Sequence, residues 1–205
     1  MLIVQIADLN QATVDFSLLS PQIVEHADKL SVARKKQFLV CRSILASLLK
    51  QYCAIPTLPL MTIGDNSRPC FVDRNLPDFN ISHSNNSIAV AISLEGKVGV
   101  DIEVDRERKN YLNVAKNFFA ENEYQWMIKQ TDTLAAFWQL WTLKESALKL
   151  YAKGVWQIKS VSVDIDNGII SAPFGEHFFY QYKQIKNVHL ALNSSIPISK
   201  CELRV

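Results

Sequence analysis

Glycine is scarce, with six among 205 residues, at positions 64, 96, 99, 154, 168 and 175. No two of them build Gly-x-Gly-x-x-Gly and none precedes Lys-Ser or Lys-Thr, which excludes the dinucleotide-binding turn and the P-loop. If this chain handles phosphate, side chains, helix N-termini or a metal ion must do the holding. Gly-x-Ser-x-Gly and His-Glu-x-x-His are missing as well, which removes two common hydrolase patterns. The four cysteines (Cys41, Cys53, Cys70, Cys201) contain no Cys-x-x-Cys pair, and the four histidines (His26, His83, His177, His189) are scattered. Neither a zinc site nor a disulfide framework is expected, and the thiols are expected to be buried as small apolar groups. Charge of one sign is lacking too: 22 Lys and Arg against 20 Asp and Glu leave +2, so no nucleic-acid partner is expected. No apolar run reaches the roughly 18 residues of a membrane span. The first eight residues have no basic start and reach Asp8 early, so they read as a strand and not as a signal peptide. A cytoplasmic, membrane-free monomer is the expectation.

What is present is an ordinary globular balance, 48% hydrophobic and 20% charged, enough for one large domain or two small halves sharing a core. Residues 2–7 read as a strand. From Ser20-Pro21 the pattern turns helical, and over 32–53 Phe38, Leu39, Ile44, Leu45, Leu48 and Leu49 recur at helical spacing until Ile55-Pro56 stops them. Residues 64–78 are loop-rich. Phe79–Ile81 and Ile88–Ile92 read as strands around a polar turn at 82–87, followed by a Glu95-Gly-Lys97 turn and a strand at 98–104. In the second half, Glu121 and Glu123 mark a helix start. A longer helix over 133–152 is expected to stop at Gly154 as its cap. Strands are expected at 161–165, 178–182, 189–192 and 200–205. No internal sequence repeat is detectable.

Two spacings carry chemistry. Asp101-Ile-Glu103 lies on an apolar strand, where alternation puts both carboxylates on one face about 7 Å apart. Hard oxygen donors so placed suit Mg²⁺; the competing assignment is a solvated strand face that Asp105 and Glu107 continue. Gly99 within this strand permits close approach of another group. The second spacing is Trp141, Glu145 and Lys149 at i, i+4 and i+8 on one helical face. Because that helix is apolar nearly all round it must be buried, and charged residues on it need partners. His83, alone between two serines, is by itself more an ordinary loop histidine than a ligand.

Together, Asn80-Ile-Ser-His-Ser84, Val98-Gly-Val-Asp-Ile-Glu103 and Trp141-Thr-Leu-Lys-Glu-Ser-Ala-Leu-Lys149 resemble, in order and spacing, the signature motifs of the Sfp-type 4'-phosphopantetheinyl transferases. Ser67-Arg-Pro69 stands where the family usually has Gly-Lys-Pro, and Ala115-Lys-Asn-Phe-Phe119 followed by Glu123 also matches. So does the arginine-bearing helix around Arg42. The likeness spans about residues 30–165.

The resemblance implies a pseudo-dimeric α+β fold of two similar halves, 1–97 and 98–205, each a small antiparallel sheet packed on helix. It implies transfer of the 4'-phosphopantetheine group from coenzyme A to a serine of an apo acyl or peptidyl carrier protein, releasing 3',5'-ADP. By position, Asp101, Glu103 and Glu145 are the implied Mg²⁺ ligands, and Asp101, Glu145 and Lys149 the implied catalytic groups. Arg42, Arg68, Ser82, His83, Ser84 and Lys149 are the implied coenzyme A contacts. The base taking the serine proton is Glu145 or a metal-bound water. The segment from Arg106 to about Trp126 mixes Arg106, Arg108, Lys109 and Lys116 with Tyr111, Phe118 and Phe119, and suits an acidic docking helix. Two other functions use the same residues: a Mg²⁺-dependent phosphohydrolase, and a non-catalytic module binding coenzyme A or a carrier.

Overall fold

The computed structural model describes residues 1–205. Strand β1 (Leu2–Asp8) is apolar on both faces and is buried on both: Ile3 joins one core cluster, while Leu2, Val4 and Ile6 join another. Helix α1 (Pro21–Asp28) begins with proline at its first position, where the missing N–H costs nothing. Helix α2 (Val32–Cys53) covers the expected span, and Ala54 turns left-handed just before Ile55-Pro56. A short hairpin of β2 (Met61–Ile63) and β3 (Pro69–Phe71) precedes the longer hairpin of β4 (Asp78–Ser84) and β5 (Ser87–Ser93). The polar turn expected over 82–87 is therefore shorter than its composition suggests. Strand β4 runs through Ser84, and the turn contracts to Asn85-Asn86, with Asn85 at φ 51°. Ser82 and Ser84 stay in the strand because their hydroxyls find partners on the neighbouring β6.

The second half opens with β6 (Val98–Val104), then α3 (Tyr111–Phe118), α4 (Glu121–Ile128) and α5 (Thr133–Leu150). Strands β7 (Ser162–Asp164), β8 (Ile169–Ser171), β9 (Phe179–Ile185), β10 (Val188–Ser194) and β11 (Cys201–Arg204) follow. Asp132 caps α5 by accepting from the Ala135 N–H at 2.9 Å. Gly154 does not end this helix. The chain leaves it at Tyr151, and Ala152 takes the left-handed position (φ 50°). The Ala152 and Lys153 N–H groups then return to the carbonyls of Lys149 (3.2 Å) and Leu148 (2.8 Å). Gly154 serves instead as the floor for Trp156, whose ring a Cβ at 154 would meet at 2.1 Å.

Each half repeats one topology. Its first strand is followed by a long helix and then by a hairpin whose second strand pairs with the first, giving the orders β1-β5-β4 and β6-β10-β9. Helix α2 covers one sheet, and α5 covers the other. Strand β11, from the end of the chain, belongs to the first sheet, pairing parallel with β1 from Leu2↔Cys201 to Gln5↔Arg204. The first sheet is thus mixed, and the C-terminus closes back on the N-terminal half. All four thiols are unpaired, but only Cys41 is fully buried, the other three being half-exposed at the rim of the cores.

The seam between halves positions the site. Strands β4 and β6 lie side by side without a backbone ladder, and side chains of β4 supply the missing acceptors. Asp78 Oδ2, Asn80 Oδ1, Ser82 Oγ and Ser84 Oγ accept from the N–H groups of Val98 (2.8 Å), Val100 (3.0 Å), Ile102 (3.3 Å) and Val104 (3.1 Å). The two-residue repeat of both strands keeps the series in step. Beneath it Ala89, Ala91, Val98, Val100, Ile102, Leu190 and Leu192 form a core shared by both sheets.

Candidate active site

Alternation along β6 sends Val98, Val100 and Ile102 into the shared core, and Gly99, Asp101 and Glu103 toward α5. Gly99 permits the close approach expected of it, and the approaching group is α5 itself. A Cβ there would stand 2.1 Å from the Ser146 carbonyl and 2.5 Å from the Leu150 nitrogen. On α5, Trp141, Glu145 and Lys149 form the half-buried stripe of an otherwise buried helix, so they border the seam.

Asp101 is 3% exposed. Its Oδ1 accepts from Lys149 Nζ at 2.5 Å and from Ser82 Oγ at 2.8 Å, whereas its Oδ2 is buried with no partner. Burial raises the Asp101 carboxyl above its ordinary range, against the pull of Lys149. Glu103 Oε2 accepts from Ser84 Oγ at 2.6 Å and Arg106 Nη1 at 2.7 Å. Glu145 is pushed up to about 7, first by burial and then by the Asp101 charge, with Glu103 adding to the rise and Lys149 opposing it. The Glu103 charge therefore raises the cost of ionising both Asp101 and Glu145, and a buried Asp101 oxygen is left unsatisfied. Hard oxygen donors crowded in this way fit a divalent cation. As they stand, no three of the ligating side chains converge closely enough to enclose one.

His83 is exposed at the edge of β4, and partial loss of water around its ring together with the Lys149 charge lowers its pKa. The two arginines go elsewhere. Arg68 lies at the far end of the seam, where one Nη donates to Asp78 Oδ2 (2.8 Å), Phe79 O (3.0 Å) and Val98 O (2.8 Å). The preceding Ser67 has φ 61°, a left-handed conformation that suits the glycine the family usually carries there. Arg42 lines a different cavity, of about 550 Å³, with His26, Phe38, Leu58 and Pro69. Its guanidinium rests 3.7 Å from the Phe38 ring centroid and enters none of the six ion pairs of the molecule. Thus Ser82, Ser84, Asp101, Glu103, Glu145 and Lys149 come together with His83 at their edge, while Arg42 and Arg68 do not join them.

Sequence reasoning placed none of three further groups in the site, and gave Arg106 a part in carrier docking only. Lys144, wholly buried, pairs with Glu123 Oε2 at 2.8 Å and also donates to the carbonyls of Ile158 and Val161. Glu123 in turn accepts from the N–H groups of Ala120 and Val163, both at 2.7 Å, so this pair ties α4 and β7 to α5. The signal was a lysine on an apolar helix face. Asp105 stays exposed but continues no strand alternation, because β6 ends at Val104, and its Oδ1 meets buried His189 Nε2 at 2.6 Å. The third is Arg106, whose contacts only the folded chain could reveal.

The comparison with known proteins names the family. The model of the 4'-phosphopantetheinyl transferase superfamily matches residues 97–195, which include the three carboxylates and Lys149. Among similar proteins, the 4'-phosphopantetheinyl transferase AcpT of Escherichia coli O157:H7 is 30% identical over 190 residues, 92% of this chain and 89% of its own length. AcpT of Salmonella typhi is 36% identical over 140 residues, covering 67% of this chain and 73% of that protein. The 4'-phosphopantetheinyl transferase gsp of Aneurinibacillus migulanus is 34% identical over 149 residues, 69% of this chain and 61% of its own length. The chain belongs to the 4'-phosphopantetheinyl transferase superfamily.

Proposed function

We propose that this protein transfers the 4'-phosphopantetheine arm of coenzyme A to a serine hydroxyl of an apo carrier protein. The observation that carries the proposal is that Asp101, paired with Lys149, keeps one buried oxygen unsatisfied, while its charge and that of Glu103 help raise Glu145 to about 7. The serine oxygen attacks the phosphorus that bears the pantetheine arm, the bond to the bridging oxygen breaks, and 3',5'-ADP leaves with that oxygen. Asp101, Glu103 and Glu145 would hold a Mg²⁺ ion, which supplies neutralisation of pyrophosphate charge when bound. We assign acceptance of the serine proton to Glu145, which shares a helical face with Lys149. Lys149 offsets developing charge and donates to the departing oxygen.

His83, exposed beside Lys149, is placed to reach phosphate. Arg42, without a carboxylate partner and lining an apolar cavity, suits the phosphorylated nucleoside end. Arg68 is committed to Asp78 and two carbonyls, so its contribution is to hold the loop carrying Pro69. The repeated strand–helix–hairpin topology supports a pseudo-dimeric arrangement. The carrier would dock on α3 and the segment before it. Lys109 and Lys116 are exposed there, beside Leu112 (42% exposed) and Phe118 (38%), while Ala115 and Phe119 anchor the segment in the core. No helix is long and apolar enough to cross a membrane.

The test mixes the protein with coenzyme A, Mg²⁺ and a panel of apo carriers, and weighs the carriers. A gain of one phosphopantetheine that disappears in EDTA and in Asp101→Ala is the expected outcome. Release of 3',5'-ADP without any carrier would replace the transferase by a phosphohydrolase. Tight coenzyme A binding with no mass gain on any carrier would leave a binding module.

A further inference from the structure

The two acids of β6 are held by the same arrangement repeated two residues apart. At the first, Ser82 Oγ donates to Asp101 Oδ1 (2.8 Å) and accepts from the Ile102 N–H (3.3 Å) and from Lys149 Nζ (2.8 Å), which also reaches Oδ1 at 2.5 Å. At the second, Ser84 Oγ donates to Glu103 Oε2 (2.6 Å) and accepts from the Val104 N–H (3.1 Å) and from Arg106 Nη1 (3.1 Å), which also reaches Oε2 at 2.7 Å. Each unit combines a β4 serine, a β6 carboxylate, the next β6 N–H and one cation. Only the origin of the cation differs, a lysine from α5 in one and an arginine from the segment after β6 in the other.

A hydroxyl has one donor and two acceptor positions, and both serines have all three engaged. Neither oxygen has capacity left for a nucleotide phosphate, which makes orientation of the carboxylates their role. Each carboxylate is bound through one oxygen only. Asp101 Oδ2 is buried and unpartnered, and every side-chain contact to Glu103 goes to Oε2, leaving Oε1 free. Arg106 is itself fixed, its guanidinium 4.2 Å from the centroid of fully buried Trp138 and its Nη1 donating to the Val104 carbonyl at 3.1 Å.

We infer that Arg106 and Ser84 do for Glu103 what Lys149 and Ser82 do for Asp101: they pin one oxygen so that the other faces the divalent cation. The inference rests on the metal site proposed above and makes Arg106 a positioning residue, distinct from any part it takes in carrier docking. Partners that orient metal ligands are worth about 10–100-fold in metal affinity.

The test uses Mn²⁺ as a spin probe, titrated into the full-length protein with coenzyme A and no carrier, with free Mn²⁺ read by electron paramagnetic resonance. Ser84→Ala leaves net charge unchanged and is expected to weaken Mn²⁺ about tenfold, with coenzyme A affinity in EDTA unchanged by calorimetry. Ser84→Thr, which keeps the hydroxyl, should restore wild-type binding. Arg106→Gln should weaken Mn²⁺ comparably, although loss of a positive charge would by Coulomb attraction alone tighten it. Tighter Mn²⁺ in Arg106→Gln, or wild-type affinity in a folded Ser84→Ala, overturns the inference; should Ser84→Ala fail to fold, Arg106→Gln decides alone. Asp101→Ala separates the two levels. If it leaves Mn²⁺ binding intact, the metal site itself fails; if it abolishes binding while Ser84→Ala and Arg106→Gln bind as wild type, only the positioning role is lost.

Discussion

Glu145 is the residue whose environment departs most usefully from water. Its folded pKa of about 7 stands above the ordinary 4.5, because burial and two neighbouring carboxylates oppose ionisation. The folded state therefore holds this proton more tightly than the unfolded chain. The stability it contributes is complete below the unfolded value and is lost as pH rises through the folded one. Asp101, also raised, acts with the same sign. Metal-free protein should accordingly melt lower at about pH 8 than at about pH 5, by about 2–4 °C for each kcal/mol involved. Glu145→Gln should flatten that slope, and an unchanged melting profile in the variant would move the raised pKa elsewhere. For Lys149, Lys149→Met is expected to lower kcat and kcat/KM together, by roughly 100-fold, with coenzyme A affinity near wild type. Lys149→Arg should rescue in part, since guanidinium keeps the charge but is a poor proton donor. Lost affinity at unchanged kcat would show that the lysine only holds the substrate.

At the scale of elements, α5 carries two lysines with opposite fates. Lys149, half-buried, reaches Asp101 and Ser82, whereas Lys144 is sealed against α4 and β7 by Glu123. Glu123→Gln strands a buried ammonium group and should cost about 3–5 kcal/mol. The double variant Glu123→Leu with Lys144→Met should recover most of that loss in urea unfolding. Equal stabilities of the single variant and the wild type would mean that the pair is not closed in solution. The end of α5 offers a change of opposite sign. Ala152 occupies a left-handed position where glycine carries no steric penalty, and Ala152→Gly should raise stability by about 0.5–1 kcal/mol.

For the whole molecule, the seam makes the two halves one unit, because β4 side chains complete the hydrogen bonding of β6 and β11 returns to β1. Carrier recognition belongs at this scale. Arg106 is engaged with Glu103 and Ser84, and Arg108 lies about 5 Å from the centroids of the Phe137 and Trp141 rings, so charge reversal at either would disturb more than docking. Lys109 and Lys116 are the cleaner probes. The Lys109→Glu, Lys116→Glu double variant should raise the carrier KM severalfold at low salt, with coenzyme A KM unchanged. Equal carrier KM values would place docking on another face.

The chain by itself determined the longest elements and which of their residues share a face. Periodicity alone located α2, α5 and β6, since an apolar stripe or an alternating strand needs only local geometry and water to declare itself. The pairing of Asp101 with Glu103 on one face, and of Glu145 with Lys149 on another, followed from the same periods. Tertiary structure decided what those faces meet. Ser82 and Ser84 read locally as a turn because short polar residues favour turns, and only β6 alongside them makes them strand. The partners of Lys144, Asp105 and Arg106 lie on other elements or beyond a bend in the chain, and no spacing in sequence encodes such distances. Arg42 and Arg68 were grouped by motif, yet they line separate walls, because a motif records which residues recur and not which cavity each one reaches.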